Sequence, residues 1–235
     1  MNASRDEPTI PTAESHFCNA RRVRVAVATE QERQMIYQVR HDIYAAELAQ
    51  HATNDRCRIR DPLDEFNVYL TARVGDELVG FISVTPPGGR GYSLDKYLQR
   101  SQFPFPPDDR LFEVRLLTVR KPHRGRQVAV LLMYAAFRWV EAHGGTRIMA
   151  MGRRKILDLY LKLGLEPAGL TVQSGAVTYE VLQVTTAALR DRLQNLVEIL
   201  ERFEREVDWQ LGVPFRPPAP CFHGGAFFFR DWRRL

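Results

Sequence analysis

The residues predict an α+β chain, an α/β three-layer arrangement with one mixed central sheet between helices, extended by a long C-terminal helix and a tail. Two observations predict it. Segments of period-two alternation and segments of helical periodicity follow one another in the order β-α-β-β-β-α-β-α-β-β, with one more helix after the last strand. The composition, 45% hydrophobic and 26% charged over 235 residues, is that of a folded chain of one domain with extensions and excludes a disordered one. Residues 1–20 read as a flexible N-terminal segment, 21–185 as the domain proper, and 186–235 as an amphipathic helix with a Pro/aromatic/basic tail.

Each element has a local reason. Residues 23–28 alternate apolar and polar side chains and predict a first strand. Thr29-Glu30-Gln31-Glu32 is a capping box, and the helix it opens has Met35, Ile36, Val39, Ile43 and Tyr44 on its apolar side and ends within 47–50. A polar loop over 52–64 follows. Residues 68–74 and 77–84 are strands joined at Gly75-Asp76, a hairpin signal. Residues 86–107, rich in Gly, Pro and aromatics, predict a long excursion with one short helix at 94–100, and such loops are uncommon unless functional. A strand at 147–151, a short helix at 153–163 stopped by Gly164, and a hairpin of 169–173 with 176–183 complete the sheet. Residues 186–211 predict one long helix, with Leu189, Leu193, Leu196, Leu200, Phe203 and Val207 in a stripe that packs on the sheet or pairs two copies.

The most informative stretch is residues 112–145: a strand, a basic turn around Gly125, and a long apolar helix. A helix that starts directly after a glycine turn presents free N–H groups and a positive dipole end, a site for phosphate. The turn carries Arg120, Lys121, His123, Arg124 and Arg126, of which Arg124 and Arg126 are the candidate phosphate contacts; the alternative is a solvated basic loop. A net charge of +5 agrees with an anionic partner: a nucleotide cofactor, an acidic carrier protein or RNA. No basic cluster is interleaved with aromatics as in a single-strand-binding groove. The three cysteines, Cys18, Cys57 and Cys221, fit neither a disulfide framework nor metal-ligand spacing, so no metal is expected. The longest apolar run, 128–137, is too short to cross a bilayer, and the N-terminus lacks the apolar core of a secretory signal, so a cytoplasmic chain without membrane contact is expected.

Leu116-Leu117-Thr118-Val119, followed by Arg124-Gly125-Arg126-Gln127-Val128-Ala129 and later by Leu159-Tyr160-Leu161-Lys162-Leu163-Gly164-Leu165, resembles three elements of the GNAT N-acyltransferase superfamily: the central strand, the acyl-CoA pyrophosphate turn and the Tyr-x-x-x-Gly-Phe element. Pro122 and Gln127 depart from the turn's Gln/Arg-x-x-Gly-x-Gly/Ala pattern. Arg40-His41-Asp42-Ile43-Tyr44-x-x-Glu47, Asp61-x-x-Asp64-Glu65-Phe66-x-x-Tyr69-Leu70 and Glu113-Val114-x-x-Leu117-x-Val119 are similar to the acyl-homoserine-lactone synthase and N-acyl amino acid synthase branch.

The resemblance implies direct acyl transfer from a pantetheine thioester to the amine of a small molecule, without a covalent enzyme intermediate or a tightly bound cofactor, in specialised metabolism. It implies that backbone at Leu117, Thr118 and Val119 faces the thioester. Arg124, Gly125, Arg126, Gln127, Val128 and Ala129 then hold the donor phosphate, and Arg40, Tyr44 and Asp64 shape the acceptor pocket. Tyr160 matches a position that protonates the leaving thiolate; the alternative is a core tyrosine. Glu113, which period two places on one face with Arg115 and Leu117, is the candidate base for the amine, or else a structural partner of Arg115.

The co-substrate expected is a phosphopantetheine thioester on an acyl carrier protein rather than acyl-CoA. The arm lacks the CoA nucleotide end, so the departures at Pro122 and Gln127 cost little, and a basic surface suits an acidic carrier. The alternatives are an acyl-CoA-dependent N-acetyltransferase, a transferase fed by aminoacyl-tRNA, and a non-catalytic adaptor of the same fold. Cys221-Phe222-His223-Gly224-Gly225-Ala226-Phe227-Phe228 resembles a segment that joins such domains to pyridoxal-phosphate enzymes, which implies such an enzyme in the same pathway.

Overall fold

The computed structural model describes residues 22–48, 50–89, 91–124, 127–175 and 177–214. Gly125 and Arg126 of the basic turn, residues 1–20 with Cys18, and the tail from 215 with Cys221 lie outside the described residues. Eight strands form one sheet: β1 (Val23–Val27), β2 (Val68–Val74), β3 (Glu77–Thr85), β4 (Leu111–Val119), β5 (Arg147–Arg153), β6 (Glu166–Ser174), β7 (Val177–Thr185) and β8 (Asp208–Gln210), in the order β6-β7-β5-β4-β3-β2-β1-β8. Neighbours are antiparallel except β4 with β5 and β1 with β8. A parallel pair needs a crossover, and the helix α2 (Val128–Ala142) supplies the one between β4 and β5.

α2 is apolar on most of its circumference, with Arg138 and Glu141 as its charged residues, and every residue from Val128 to Val140 except half-buried Ala129 is buried. Such a helix needs cover on both sides. The sheet covers one side through Leu70, Ile82, Val84, Phe112 and Ile148, and Leu200, Phe203, Val207 and Leu211 join the same core cluster. The opposite sheet face carries two smaller clusters. One holds α1 (Glu30–Arg40) through Ile36 and Tyr37 against Tyr69, Leu78 and Phe81. The other holds the excursion through Tyr92, Leu94, Phe103 and Phe105 against Leu111, Met149 and Val181.

The hairpin at Gly75, with φ 58, and the Thr29–Glu32 capping box form as the sequence predicts. Four expectations are corrected. The first helix is α-helical only to Arg40 and continues as a π-helix over His41–Glu47, which sets Tyr44 and Glu47 over the end of β4. The excursion holds two 3-10 turns, Ser93–Lys96 and Arg100–Gln102, in place of one helix, because Tyr92 and Ser93 are fixed to β4 by hydrogen bonds. The 186–211 helix is divided into α4 (Thr186–Leu193), a 3-10 turn, α5 (Val197–Glu206) and β8. The divided course lets α5 lie on α2 while β8 covers the exposed edge of β1, an edge that would otherwise leave unpaired backbone groups. Its stripe is thereby buried within the chain. Finally, Leu117 does not share a face with Glu113 and Arg115, for a reason that belongs to the site.

Candidate active site

β4 and β5 pair only at Leu111–Arg147, Phe112–Ile148 and Glu113–Met149. Beyond these, β4 follows β3 to the Val119–Gly80 pair and β5 follows β7 to the Arg153–Tyr179 pair. The two strands therefore splay, and their facing edges keep backbone groups with no ladder partner across the gap. A bulge sits at this point. Between the Ser83–Arg115 and Phe81–Thr118 pairs, one residue of β3 stands opposite two of β4, and Leu116 takes φ 55, in the left-handed region. The extra residue shifts the alternation. Thr118, not Leu117, continues the face of Glu113 and Arg115, and Leu117 packs with the α2 core. A cavity of about 20 Å³ lies in the splay, lined by Val114, Leu117, Met133, Met151, Tyr160 and Leu165. It has room for one water-sized group.

Tyr160 stands on α3 (Leu157–Lys162), which follows β5 directly, and is half-buried. Its ring lies against Gly152 of β5: a Cβ there would approach ring carbons to 2.8 Å, so only glycine permits this seat. Burial, with Tyr44 nearby, pushes the phenol up to about 12, against the pull of Arg153. The phenol is neutral over the physiological range.

At the wide end of the splay, α2 begins without a side-chain cap, so its first N–H groups are unpartnered within the helix. Gln127, the residue before it, accepts a hydrogen bond from Arg202. Arg124 is held bidentately by Glu47, at 2.6 and 3.0 Å, and its Nε donates to the Val119 carbonyl at 3.0 Å. His123 faces Glu77 at 3.2 Å. Thr118 bonds the Tyr44 hydroxyl at 2.8 Å, which brings one candidate acceptor residue to the mouth. Gln127 and Val128 also line a second cleft of about 440 Å³, between α2 and α5.

The face of the sheet toward α1 carries a buried charge network. Arg40 Nη1 donates to both Asp64 oxygens, at 2.8 and 2.9 Å, and to the Tyr69 hydroxyl, which donates to Asp64 at 2.6 Å. Arg40 and Arg115 both donate to Asp61. Arg40 and Asp64 are 3% and 0% exposed, so their charges face each other rather than a solvent-filled pocket. Burial would raise the Asp61 carboxyl, but Arg115 and Arg40 hold it below the usual carboxylate range. Glu113 is buried and accepts from the N–H and the hydroxyl of Ser93. Burial pushes it up, against the opposing pull of Arg115 and Ser93. Arg115 Nη1 is buried without a hydrogen-bond partner.

The structure thus gathers Tyr160, Leu117, Thr118, Val119, Arg124, Tyr44 and the start of α2 around one splay, with Glu113 at its closed end. It sets Arg40 and Asp64 into a neighbouring network. Sequence reasoning missed Gly152, Asp61, Arg115, Ser93 and Glu47 as site residues. Asp61 and Glu47 stood inside motifs already singled out, whereas Gly152 and Ser93 carry no local signal because their roles are tertiary contacts.

A bulged central strand, a splayed neighbour and an uncapped helix end between them define an acyl-transfer scaffold. Residues 29–165, more than half of the chain, match the acetyltransferase (GNAT) family, and the chain belongs to that family. It is an acyltransferase. Among solved structures it is similar to the CoA-dependent acyl-homoserine lactone synthase BjaI with SAM and isopentyl-CoA, at 19% identity and TM-score 0.65, over 84% of this chain and 96% of that one. FeeM, an N-acyl amino acid synthase from uncultured soil microbes, is similar at 16% identity and TM-score 0.58, over 72% and 94%. The acyl-homoserine-lactone synthase LasI is similar at 12% identity and TM-score 0.56, over 70% and 89%. No curated protein matches the sequence.

Proposed function

We propose that the chain transfers an acyl group from the phosphopantetheine thioester of an acyl carrier protein to the amine of a small, amino-acid-derived acceptor. The observation that carries this reading is the splay itself, whose unpaired strand edges run from the uncapped start of α2 to Tyr160. An extended pantetheine arm carries two amides and pairs with an open strand edge as an added strand would. Its phosphate end reaches the N–H groups of α2 and Arg124.

The amine attacks the thioester carbonyl at the bulge, the C–N bond forms and the C–S bond breaks. A phenol near 12 gives its proton to a thiolate near ~8.5 only uphill, by about 5 kcal/mol. Tyr160 therefore serves as a neutral hydrogen-bond donor to the departing sulfur, and the proton that ends on the thiol comes from the attacking nitrogen. Arg115 Nη1, buried and unpartnered, is the group left to receive an acceptor carboxylate. Glu113 has both oxygens on Ser93, which supports a structural role over that of base.

The carrier-protein donor is supported by the departures Pro122 and Gln127 from the pyrophosphate-turn pattern, Gln127 being engaged by Arg202, which thins the grip on a nucleotide end. Free CoA is the second reading, favoured by the likeness to CoA-dependent synthases. The test incubates the protein with acyl-loaded carrier protein, acyl-CoA or charged tRNA, each with amino acids and SAM, and reads N-acyl product by mass spectrometry. Product from the loaded carrier protein is expected. Equal or faster turnover of acyl-CoA overturns the choice of donor. No product with any donor favours a non-catalytic adaptor, and product from charged tRNA alone replaces the thioester reading.

A further inference from the structure

We propose that Glu47 is an internal anion that occupies the donor-phosphate mouth of the free enzyme, and that the donor's phosphate must displace it from Arg124 to bind. The inference rests on the donor reading above and adds a residue that sets donor affinity.

Glu47 ends the π-helix His41–Glu47 and reaches Arg124, 77 positions away in sequence, with both carboxylate oxygens. A bidentate carboxylate on a guanidinium fork has the geometry that a phosphate would take. Arg124 is not alone there. Lys121, in the turn, and Arg153, at the end of β5, also act on the Glu47 carboxyl, and with Arg124 they hold it below the usual carboxylate range. One carboxylate thus sits on Arg124, within the field of basic side chains from both lips of the splay. Tyr44 is on the same π-helix and bridges to Thr118 of β4, so the helix is tied to the β4 lip of the mouth at two points.

The cavity behind this mouth, about 20 Å³, is too small for a thioester and its substituents. Entry of a donor therefore needs room at the mouth, where the two ties hold the π-helix against the β4 lip. The pair is itself weak enough to exchange. Its side chains are 42% and 36% exposed, and an ion pair so wetted is readily exchanged for the phosphodiester anion of the arm. Displacing Glu47 moves the helix that carries Tyr44, so arrival of the donor alters the wall facing the acceptor. This gives the enzyme a reason to take donor before acceptor.

The experiment compares the full-length protein with Glu47→Gln by calorimetric titration of CoA, 4′-phosphopantetheine and pantetheine, alongside thermal unfolding. Glu47→Gln keeps the side-chain size and removes the competing charge. The Kd for CoA and for 4′-phosphopantetheine falls about 2- to 5-fold in the variant, the range that loss of one exposed ion pair supplies. Pantetheine, which lacks the phosphate, binds both proteins alike. The ligand-free variant melts at or below the wild-type temperature, so affinity and free-state stability move in opposite directions. Equal or weaker phosphate binding in the variant overturns the role of Glu47 while leaving the donor reading in place. Tightening that extends equally to pantetheine also overturns it, since the phosphate would not be what competes. Absence of binding of both phosphate-bearing probes to both proteins overturns the donor reading, and this inference with it.

Discussion

Tyr160 owes its position to a missing methyl group. The ring rests on Gly152, where any Cβ would come within 2.8 Å of it, and this contact turns the hydroxyl into the splay rather than into solvent. Replacement by phenylalanine keeps the seat and removes only the hydrogen bond to sulfur. Tyr160→Phe is expected to lower kcat roughly 10- to 100-fold while KM for the donor stays within about 2-fold. Because the phenol ionises near 12, wild-type rate is not expected to fall through Tyr160 ionisation at any pH below about 10. A pH–rate profile checks this, and a basic limb below that value that disappears in Tyr160→Phe would count against it. Tyr160 was legible in the sequence because it stands in a spaced motif. Gly152 was not, because nothing local distinguishes a glycine that makes room from one that merely terminates a strand.

At the scale of elements, buried charge decides how α1, the excursion and β4 are joined. Asp64 is fully buried and answers Arg40 and Tyr69. Asp64→Ala leaves the Arg40 guanidinium buried with a partner removed, and a loss of about 3–5 kcal/mol in urea-unfolding stability is expected. An unchanged unfolding midpoint with a raised KM for the acceptor would return Asp64 to the acceptor pocket. Glu113 ties the excursion to β4 through Ser93, and its raised pKa gives a pH signature. The folded chain holds this proton more tightly than the unfolded chain, whose carboxyl titrates near ~4.3. The stability it contributes is complete below that value and is lost as pH rises through the raised one. Glu113→Gln has no such charge, so its stability relative to wild type is expected to improve as pH rises above the ordinary carboxylate range. Parallel stability–pH curves would refute this.

The sequence was a good guide wherever an element is decided by its own residues: the Thr29–Glu32 capping box, the Gly75 hairpin, the mostly apolar α2. It failed where a partner decides. Residues 208–210 have no strand signature of their own and become β8 because β1 offers an edge. The alternation of β4 was read at strict period two, which one left-handed residue, Leu116, overrides. Arg40 and Asp64 belonged to a motif that the sequence could locate, but their mutual burial is a property of the packed fold.

On the whole-molecule scale, the described part of the C-terminal extension packs into the same core as α2 and the sheet. Leu200 and Phe203 are 2% and 6% exposed and share a cluster with α2 and the sheet. Arg138 of α2 pairs with Glu204 of α5 at 3.0 Å and stacks over Trp209 of β8 at 4.4 Å from the ring centre. Phe203→Ala is expected to lose about 3–5 kcal/mol of stability, read by urea unfolding, with little change in the rate constants of the molecules that remain folded. A large loss of kcat without loss of stability would instead connect α5 directly to the chemistry.

β1 lies between β2 and β8, one partner drawn from residues 68–74 and the other from 208–210, with Arg24 paired to Asp208. During synthesis the first strand therefore waits for almost the last described residue before its second edge is filled. Until α5 emerges, the side of α2 that it covers is bare apolar surface. A nascent chain in that condition is exposed to chaperones and to its neighbours while the residues from the end of α2 to α5 are made, an interval of several seconds at roughly 5–20 residues per second. The pairing of β1 with β8 thus makes this edge close after the rest of the described sheet has been made, and makes the emerging α2 the surface on which misassembly would start.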